Sequence, residues 1–376
     1  MRQNFPGDSK RRRTAMKWIL SLFVFLPLVA ITSVTPYITR RTESFGVSIP
    51  RSVYGSPELK AFRKQYAMIT GCLGLLFFVP LLILKIPEEV FPLVFAGAVF
   101  GYLSAGFIVY YLYHKKMKRL KRSRNWKGER KEAVALDIRF HQRKRTVSYR
   151  WFLLPLAITG ASFICTALFY DRIPDPVPMH YDMNGEVNRW AEKTPGSVSL
   201  LPLVSLFMTG LFMLVNWIID QSKQQIDADD PEKSLEQNLI FRRRWSGFII
   251  FSGTLLVLMF FLAQLSLIFS YGQKAVFLLM MTAVGFTLVG CLVLTILTGQ
   301  GGSRIHGNGE NDGGLINRDD DRFWKLGVFY CNPEDPALFL EKRFGSGWTI
   351  NFARPAAWLL FLGVLLIPVF IAIFAG

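Results

Sequence analysis

Residues able to perform acid–base or metal chemistry come together between residues 171 and 197. His180 lies shortly before Asp182 and Glu186, and an imidazole beside carboxylates could form a general acid–base pair or half of a metal site. A third ligand at metal spacing is missing, and the chain has no HExxH or CxxC motif. We therefore predict no catalytic residue, no metal and no cofactor. The competing interpretation of His180 is a histidine that hydrogen-bonds its own loop.

The same segment has the residue types of a ligand-binding cap. Its prolines favour extended backbone and Asn184-Gly185 favours a tight turn, so a hairpin is predicted. Five acidic residues outnumber three basic ones, which would attract a cationic partner. Trp190 also has the character of a membrane-interface anchor. The predicted ligand-binding residues are His180, Asp182, Gly185, Glu186, Trp190 and Lys193.

Long apolar stretches must position this segment. Each has roughly the 17–25 residues that a helix needs to cross a bilayer, in which a helix satisfies its own backbone N–H and C=O groups. The sequence therefore predicts an all-α polytopic membrane protein with about eight transmembrane helices. The stretches are 16–38, 66–84, 90–113, 151–170, 198–219, 247–269, 275–298 and 355–375.

Basic residues predict the orientation of these spans. Of the 44 Lys and Arg residues, 33 lie in alternate connectors, which the positive-inside rule places in the cytoplasm. The segment 171–197 and both termini then lie outside. The basic N-terminal flank opposes this orientation locally. The alternatives are a first stretch made re-entrant by Pro27 and Pro36, or a further turn hidden before residue 114. The basic connectors are 39–65, 114–150, 220–246 and 299–354.

The cores of the predicted spans contain no Asp, Glu, Lys, Arg or His. Because such groups mark ion pathways in membranes, an ion-coupled transporter is disfavoured. Asn216 and Gln264 are the main amides, and we interpret them as helix-to-helix hydrogen bonds rather than a transport site. Gly97, Gly101 and Ala105 form a ladder of small residues that favours close packing of a neighbouring helix.

The cytoplasmic connectors predict a small α+β module. Apolar residues alternate in 134–140, and 325–331 and 347–353 are also typical of half-buried strands. The intervening 333–345 is predicted as one short helix that ends at Gly345, because acidic residues lie at its start and basic residues at its end.

Three cytoplasmic features have competing interpretations. The Gly-rich run 299–314 is predicted as a flexible tether, since it lacks the residue order of a phosphate-binding loop. The triplet 319–321 is predicted as a solvated acidic turn or helix cap rather than a site for a divalent cation. The basic run 114–131 is predicted to contact anionic lipid, and no nucleic acid, because aromatic stacking platforms are missing.

Three runs resemble known membrane proteins. IPDPVPMHYDMNGEVNRWAEK, at 173–193, resembles the extracytoplasmic motif of a family of unknown function shared with SdpI-type proteins. The run 319–355 looks like a second uncharacterised module of Bacillus-type bacteria, and 45–65 is similar to an inner-loop motif of SdpI-type proteins. The resemblance implies immunity to a secreted toxic peptide and sequestration of a soluble repressor. SdpI itself is shorter and lacks the 319–355 module.

These observations lead to one preferred function. We predict a non-enzymatic sensor or immunity protein in a Gram-positive plasma membrane, whose cap meets an extracellular peptide or envelope component and whose module binds a soluble cytoplasmic regulator. The alternatives are a small-molecule permease or transporter-associated subunit, and a membrane enzyme. The residues predicted to bind the regulator are Trp324, Phe329, Tyr330, Phe344 and Trp348. The predicted division is 1–113, 114–150, 151–219 with its cap 171–197, 220–298, 299–354 and 355–376.

Overall fold

Helices form most of the chain. A computed structural model describes residues 21–87, 89–124, 126, 131–133, 143–181, 187–227, 230–270, 273–305, 315–317 and 320–375. A helix occupies each of the predicted apolar stretches within these residues. The helices of more than ten residues are α1 Leu26–Ile38, α2 Pro57–Ile83, α3 Phe91–Ser123, α4 Leu153–Leu168, α5 Leu200–Gln221, α6 Pro231–Phe269, α7 Gln273–Thr298 and α8 Pro355–Ala375.

Seven of the described helices, taken with the helical turns attached to them, are long and apolar enough to cross a membrane. The predicted multi-pass α-helical class is therefore confirmed. The last predicted span forms α8, which is helical over Pro355–Ala375 but is not among these seven. The number of eight spans thus stays a prediction.

Short strands pair two by two at the ends of the helices. Among the described residues only one pair is parallel, and the rest are antiparallel hairpins. The predicted strand 134–140 lies outside the described residues, next to one member of the parallel pair. The pairs are β1 Glu43–Ser44 with β2 Val47–Ser48, β3 Lys131–Ala133 with β6 Leu315–Asn317, β4 Val177–Tyr181 with β5 Val187–Ala191, β7 Trp324–Lys325 with β8 Phe329–Tyr330, and β9 Phe339–Glu341 with β10 Trp348–Ile350.

Three helices continue beyond their apolar stretches into polar connectors. α2 begins at Pro57, because the Leu59 N–H donates to the Ser56 side chain (3.4 Å) and proline suits the first helical position. α6 likewise begins after a cap at Asp230. α3 runs on through basic residues, which favour the C-terminal end of a helix. These extensions carry charged side chains out of the apolar bundle.

The cap is the hairpin β4–β5, as predicted, and the Asn184-Gly185 turn lies outside the described residues. Its base packs on the helix bundle through a buried apolar cluster. That cluster joins the chain on both sides of the hairpin to the end of α6, so the cap is attached to the last turns of this helix. Its buried members are Ile173, Val177, Val198 and Ile268.

The opposite end of the bundle carries a second polar unit, which we name the basal assembly and define as residues 39–56, 220–227, 299–305 and 320–354. Hydrogen bonds join its parts: the Lys223 N–H donates to the Phe339 carbonyl (2.9 Å), and the Ser48 N–H donates to Asp321 (3.1 Å). Parts of three of the basic connectors therefore lie at one end of the bundle, opposite the cap.

The prediction of a helix at 333–345 is wrong, because this segment forms a turn followed by β9. The Ala337 N–H donates to the Asp335 side chain (3.0 Å), which closes a turn, and the chain then enters β9. Gly345, expected to end a helix, has φ +94° in the connection to β10. Pairing of β9 with a strand further along the chain outweighs the local charge pattern. The basal assembly is thus built from hairpins.

The single strand predicted at 325–331 is also wrong. Leu326 and Gly327 both have positive φ (53° and 76°), so the chain reverses between β7 and β8. The strand predicted at 347–353 is confirmed at β10. A similar reversal at Phe45-Gly46 joins β1 to β2. A Cβ on Gly46 would lie 2.5 Å from the Gly327 carbonyl oxygen, so the two hairpin tips touch backbone to backbone.

The Gly-rich run predicted as a tether begins as a packed element. Gln300, Gly301 and Gly302 are buried. The Gln300 amide donates to the carbonyls of Lys342 (3.1 Å) and Gly347 (2.9 Å) and accepts from the Gly347 N–H (2.8 Å). Residues 306–314 lie outside the described residues. The basal assembly is therefore fixed directly to the end of α7.

The two amides predicted as helix-to-helix contacts are confirmed. The buried Gln264 donates to the Thr166 hydroxyl (2.8 Å) and the Val198 carbonyl (3.1 Å), which joins α6 to α4. The buried Asn216 accepts from the Ser246 hydroxyl (2.5 Å), which joins α5 to α6. In the small-residue ladder, a Cβ on Gly101 would meet Phe77 of α2 at 2.8 Å, whereas one on Gly97 would meet nothing.

Candidate functional site

A fully buried carboxylate lies where the basal assembly meets the helices. Glu341, on β9, has no exposed surface, and neither does Arg242 of α6, whose guanidinium lies 3.5 Å from it. Arg40 forms a second ion pair with Glu341, and Asn238 donates to it at 2.6 Å. Buried charges require such partners, because the desolvation of an isolated ion is very unfavourable.

Arg242 joins three elements at once. Its guanidinium donates to the Ile219 carbonyl at the end of α5 (2.6 Å), to the Lys223 carbonyl (3.1 Å) and to the Asn238 side chain (2.7 Å). The end of a helix leaves carbonyls without intrahelical partners, and a cation there also suits the helix dipole. Arg242 with Glu341 therefore fixes α5, α6 and β9 relative to one another.

A second buried cation organises the other side of the basal assembly. Arg343, the second residue after Glu341, forms ion pairs with Asp320 and Asp321 and lies over the Trp324 ring at 5.1 Å. Lys121, at the end of α3, donates to Asp321 at 2.7 Å. These two aspartates are thus paired with cations. The predicted solvated turn is wrong for Asp321, whereas Asp320 keeps 36% of its side-chain surface exposed and lies at the start of the helical turn Asp321–Phe323, in agreement with the predicted acidic turn. Asp319 lies outside the described residues.

Glu43 on β1 is a buried carboxyl group whose pKa differs strongly from its ordinary value. Burial raises the pKa of its carboxyl from the ordinary 4.5 to about 7, against the opposing charges of Arg343 and Arg40. One carboxyl oxygen lies 3.8 Å from Arg343, and the other has no hydrogen-bond partner among the described residues. This side chain can therefore take up or release a proton near neutral pH.

Some of these charged residues line a cavity of about 490 Å³ in the basal assembly, whereas Arg242 and Glu341 lie outside its lining. Its walls mix both signs of charge: Arg40 and Arg343 face the same space as Glu43, Asp320 and Asp335. In the part of the chain that is described, no group of three His, Cys, Asp or Glu side chains converges as metal ligands. The cavity suits a polar ligand or ordered water, and its charged pairs couple the segments around it.

The cap residues predicted to bind a ligand are only partly described. Trp190 has half its surface exposed (51%). Lys193 donates to the Ile173 carbonyl (2.8 Å) and lies over the Tyr170 ring (4.8 Å), so it holds the base of the cap. His180 lies on β4 opposite Arg189, and Asp182, Gly185 and Glu186 lie outside the described residues.

The aromatic residues predicted to bind a regulator mostly pack inside the basal assembly. Trp324 and Tyr330 are buried, at 2% and 4% exposure. Phe344 packs on Tyr110 of α3, with ring centres 4.4 Å apart, and Trp348 packs on Phe241 of α6 at 5.4 Å. Phe329 is the member of the set with a substantial exposed surface (41%).

The buried ion pair of Arg242 with Glu341 was not predicted from the sequence. Arg242 belongs to a run of three arginines that the positive-inside rule explains equally well, and Glu341 fell within a predicted helix. The two are 99 positions apart. The one usable signal was that Glu341 follows the apolar pair Phe339-Leu340, which is compatible with a strand as well as a helix.

The fold defines a multi-pass α-helical membrane protein with small polar units at both ends. Residues 157–206, which include the cap, match a domain of unknown function (DUF1648). Residues 333–358, which include β9 and β10, match a family of unknown function (DUF5808). No curated protein and no solved structure matches the chain. Both family matches are consistent with the resemblance to SdpI-type membrane proteins.

Proposed function

We propose that this chain is a non-enzymatic sensor or immunity protein of a Gram-positive plasma membrane. Its cap meets an extracellular cationic peptide or envelope component, and the basal assembly transmits this event to a soluble cytoplasmic regulator. The basic connectors support this orientation, because three of them contribute to the basal assembly and the acidic cap lies at the opposite end.

One observation carries the proposal: the single helix α6 contacts both polar ends of the molecule. Near its C-terminal end, Gln264 and Ile268 contact the chain at the base of the cap. Near its N-terminal end, Asn238 and Arg242 hold Glu341. With a helical rise of about 1.5 Å per residue, Arg242 and Gln264 are about 33 Å apart, which is the thickness of a hydrocarbon core.

Coupling through α6 requires two arrangements of the molecule. A ligand at the cap shifts their populations only if it binds one more tightly than the other. The joint between Arg242 and Glu341 is where a displaced α6 would release or reposition β9, because these side chains connect that helix to the hairpin. The basal surface seen by a regulator, including the exposed Phe329, would then change.

The experiment compares the removal of acidic side chains at the cap with their removal at the opposite end of the helix bundle, near the start of α6. A sensitive Gram-positive strain expresses the wild-type chain, the cap variant Asp171→Asn with Glu192→Gln, or the basal control Glu232→Gln with Glu236→Gln. All four side chains are exposed. Growth is measured against increasing amounts of cationic peptides from the spent medium of producing cultures. We expect the wild type and the basal control to raise tolerance, and the cap variant to lose most of this gain.

Two outcomes would contradict the proposal. Expression of the wild-type chain could leave both peptide tolerance and the transcriptome unchanged, or the cap and basal variants could behave alike. Asn216 and Gln264 do not support the alternative of a permease, because both amides bond neighbouring helices.

A further inference from the structure

A second cavity, of about 450 Å³, opens at the end of α1 and the start of α2. Its composition differs from that of the first cavity, because its lining contains no Asp or Glu. The other lining residues are tyrosines and small hydroxyl residues. Five basic residues supply the charge: Arg41, Lys60, Arg63, Lys64 and Arg304.

Arg63 is a buried residue of this cavity whose side chain is held in place by Tyr54. It is 4% exposed, it donates to the Tyr54 carbonyl at 3.0 Å through Nη2, and its guanidinium lies 4.0 Å from the Tyr54 ring centre. These contacts fix the plane of the guanidinium. Its Nη1 is buried and has no partner among the described residues. A buried donor without an acceptor is unfavourable, so an external acceptor would complete the site.

The cavity lies next to the ends of membrane-spanning helices. Thr39 directly follows α1, and Ser303 lies just after α7, so two helices end at its wall. Lys60 and Lys64 lie one turn apart on the same face of α2, before its apolar stretch begins. Both lysines are exposed. The cavity therefore lies at the level where lipid headgroups meet the protein.

We propose that this cavity binds the phosphate group of an anionic phospholipid. A phosphate offers several acceptor oxygens, which suit the planar donors of a fixed guanidinium together with the point charges of two lysines. A phospholipid headgroup and free phosphate would both present a phosphate oxyanion to this cavity. We favour the headgroup because the cavity opens beside the helix ends. The site is separate from the cap and independent of the sensing role.

The test uses the full-length chain and matched charge removals. The variants are Lys60→Gln with Lys64→Gln, the control Lys144→Gln with Lys325→Gln outside the run 114–131, and Arg63→Lys. The control lysines are also exposed and lie outside the cavity. Native mass spectrometry counts the anionic phospholipid molecules retained from nanodiscs of mixed phosphatidylcholine and phosphatidylglycerol. Thermal stability in a neutral detergent with added inorganic phosphate forms the second arm.

We expect Lys60→Gln with Lys64→Gln to bind the retained phosphatidylglycerol about 30-fold more weakly, with the control pair close to wild type. Arg63→Lys keeps the charge but loses the planar fork, so binding should fall several-fold. Stabilisation of the wild type by inorganic phosphate, lost in the Lys60/Lys64 variant, would support a free-phosphate source for the same chemistry. Equal behaviour of both lysine pairs in both arms, or full binding by Arg63→Lys, would overturn the proposal.

Discussion

Replacing Arg242 by methionine removes the cation that joins α6 to β9 while keeping a side chain of similar length. Glu341 would remain buried, with Arg40 and Asn238 as its neighbours. The Lys223 carbonyl would lose the Arg242 donor, and the Ile219 carbonyl would keep only the Ser222 hydroxyl (3.0 Å) as a side-chain donor. We therefore expect the β9–β10 hairpin to separate more readily from the helices, whereas the helix bundle itself stays folded.

The size of the effect follows from the burial of both charges. Removing one partner of a buried ion pair destabilises a protein by about 3–5 kcal/mol. Because Arg40 still pairs with Glu341, the lower end applies, and about 3 kcal/mol corresponds to a change of about a hundredfold in the opening equilibrium. In Arg242→Met combined with Glu341→Gln, the uncompensated carboxylate is absent, so the loss should be smaller than the sum of the two single losses.

The measurement is hydrogen exchange by mass spectrometry on peptides that cover β9 and β10, with peptides from α4 as the internal reference. Local opening sets the exchange rate of such amides. The matched control is Arg244→Met, since Arg244 lies two residues further along α6 and is exposed. We expect exchange of the hairpin about a hundredfold faster in Arg242→Met and within a few-fold of wild type in the control.

The reasoning would be refuted by equal exchange in Arg242→Met and Arg244→Met. It would also fail if α4 exchanged faster by the same factor as the hairpin, because the pair would then stabilise the whole chain rather than the joint. Additive losses in the double variant would show that Arg242 and Glu341 do not interact energetically.

Two further predictions concern β1 and its hairpin. The folded-state pKa of Glu43 is raised to about 7, so its ionisation destabilises the fold as the pH rises from about 4.5 through 7. Glu43→Gln should therefore raise thermal stability at pH 8, by up to about 3 kcal/mol, but not at pH 4.5, whereas the exposed Glu58→Gln should change little at either pH. Gly46→Ala should destabilise the protein by about 2 kcal/mol or more, because φ is +73° and the new methyl would meet backbone, while Gly55→Ala, with open space around it, should be close to neutral. A destabilised Glu43→Gln at pH 8, or equal melting temperatures of the two alanine variants, would contradict these expectations.

The helices could be predicted from the sequence because a membrane span must satisfy its backbone internally, so long apolar runs leave few other structures. The contacts of Asn216 and Gln264 followed from the same argument, since an amide within a helix bundle finds a partner on another helix. The cap hairpin was predictable because Asn184-Gly185 is a strong local turn signal. In each case a short stretch of sequence contained the determining information.

The basal assembly was poorly predicted because its determinants are distant in sequence. Its strands have two or three residues, and two of its turns begin with Phe45 and Leu326 rather than with the usual Asn or Asp. β9 forms because β10 and the buried cations are present. A local charge pattern at 333–345 favoured a helix, but pairing with remote residues decided the structure.

Burial of the joint between Arg242 and Glu341 constrains how the two ends of the molecule can communicate. A flexible tether between the bundle and the basal hairpins would let the hairpins move independently of α6. Instead, Gln300 fixes the chain directly after α7 to the β9–β10 connection, and Arg242 fixes β9 to α6. A displacement of α6 at the cap must therefore either move the hairpins with the helix or break a buried ion pair. Because breaking the pair is unfavourable by several kcal/mol, a concerted movement is the transition that the proposed sensing requires.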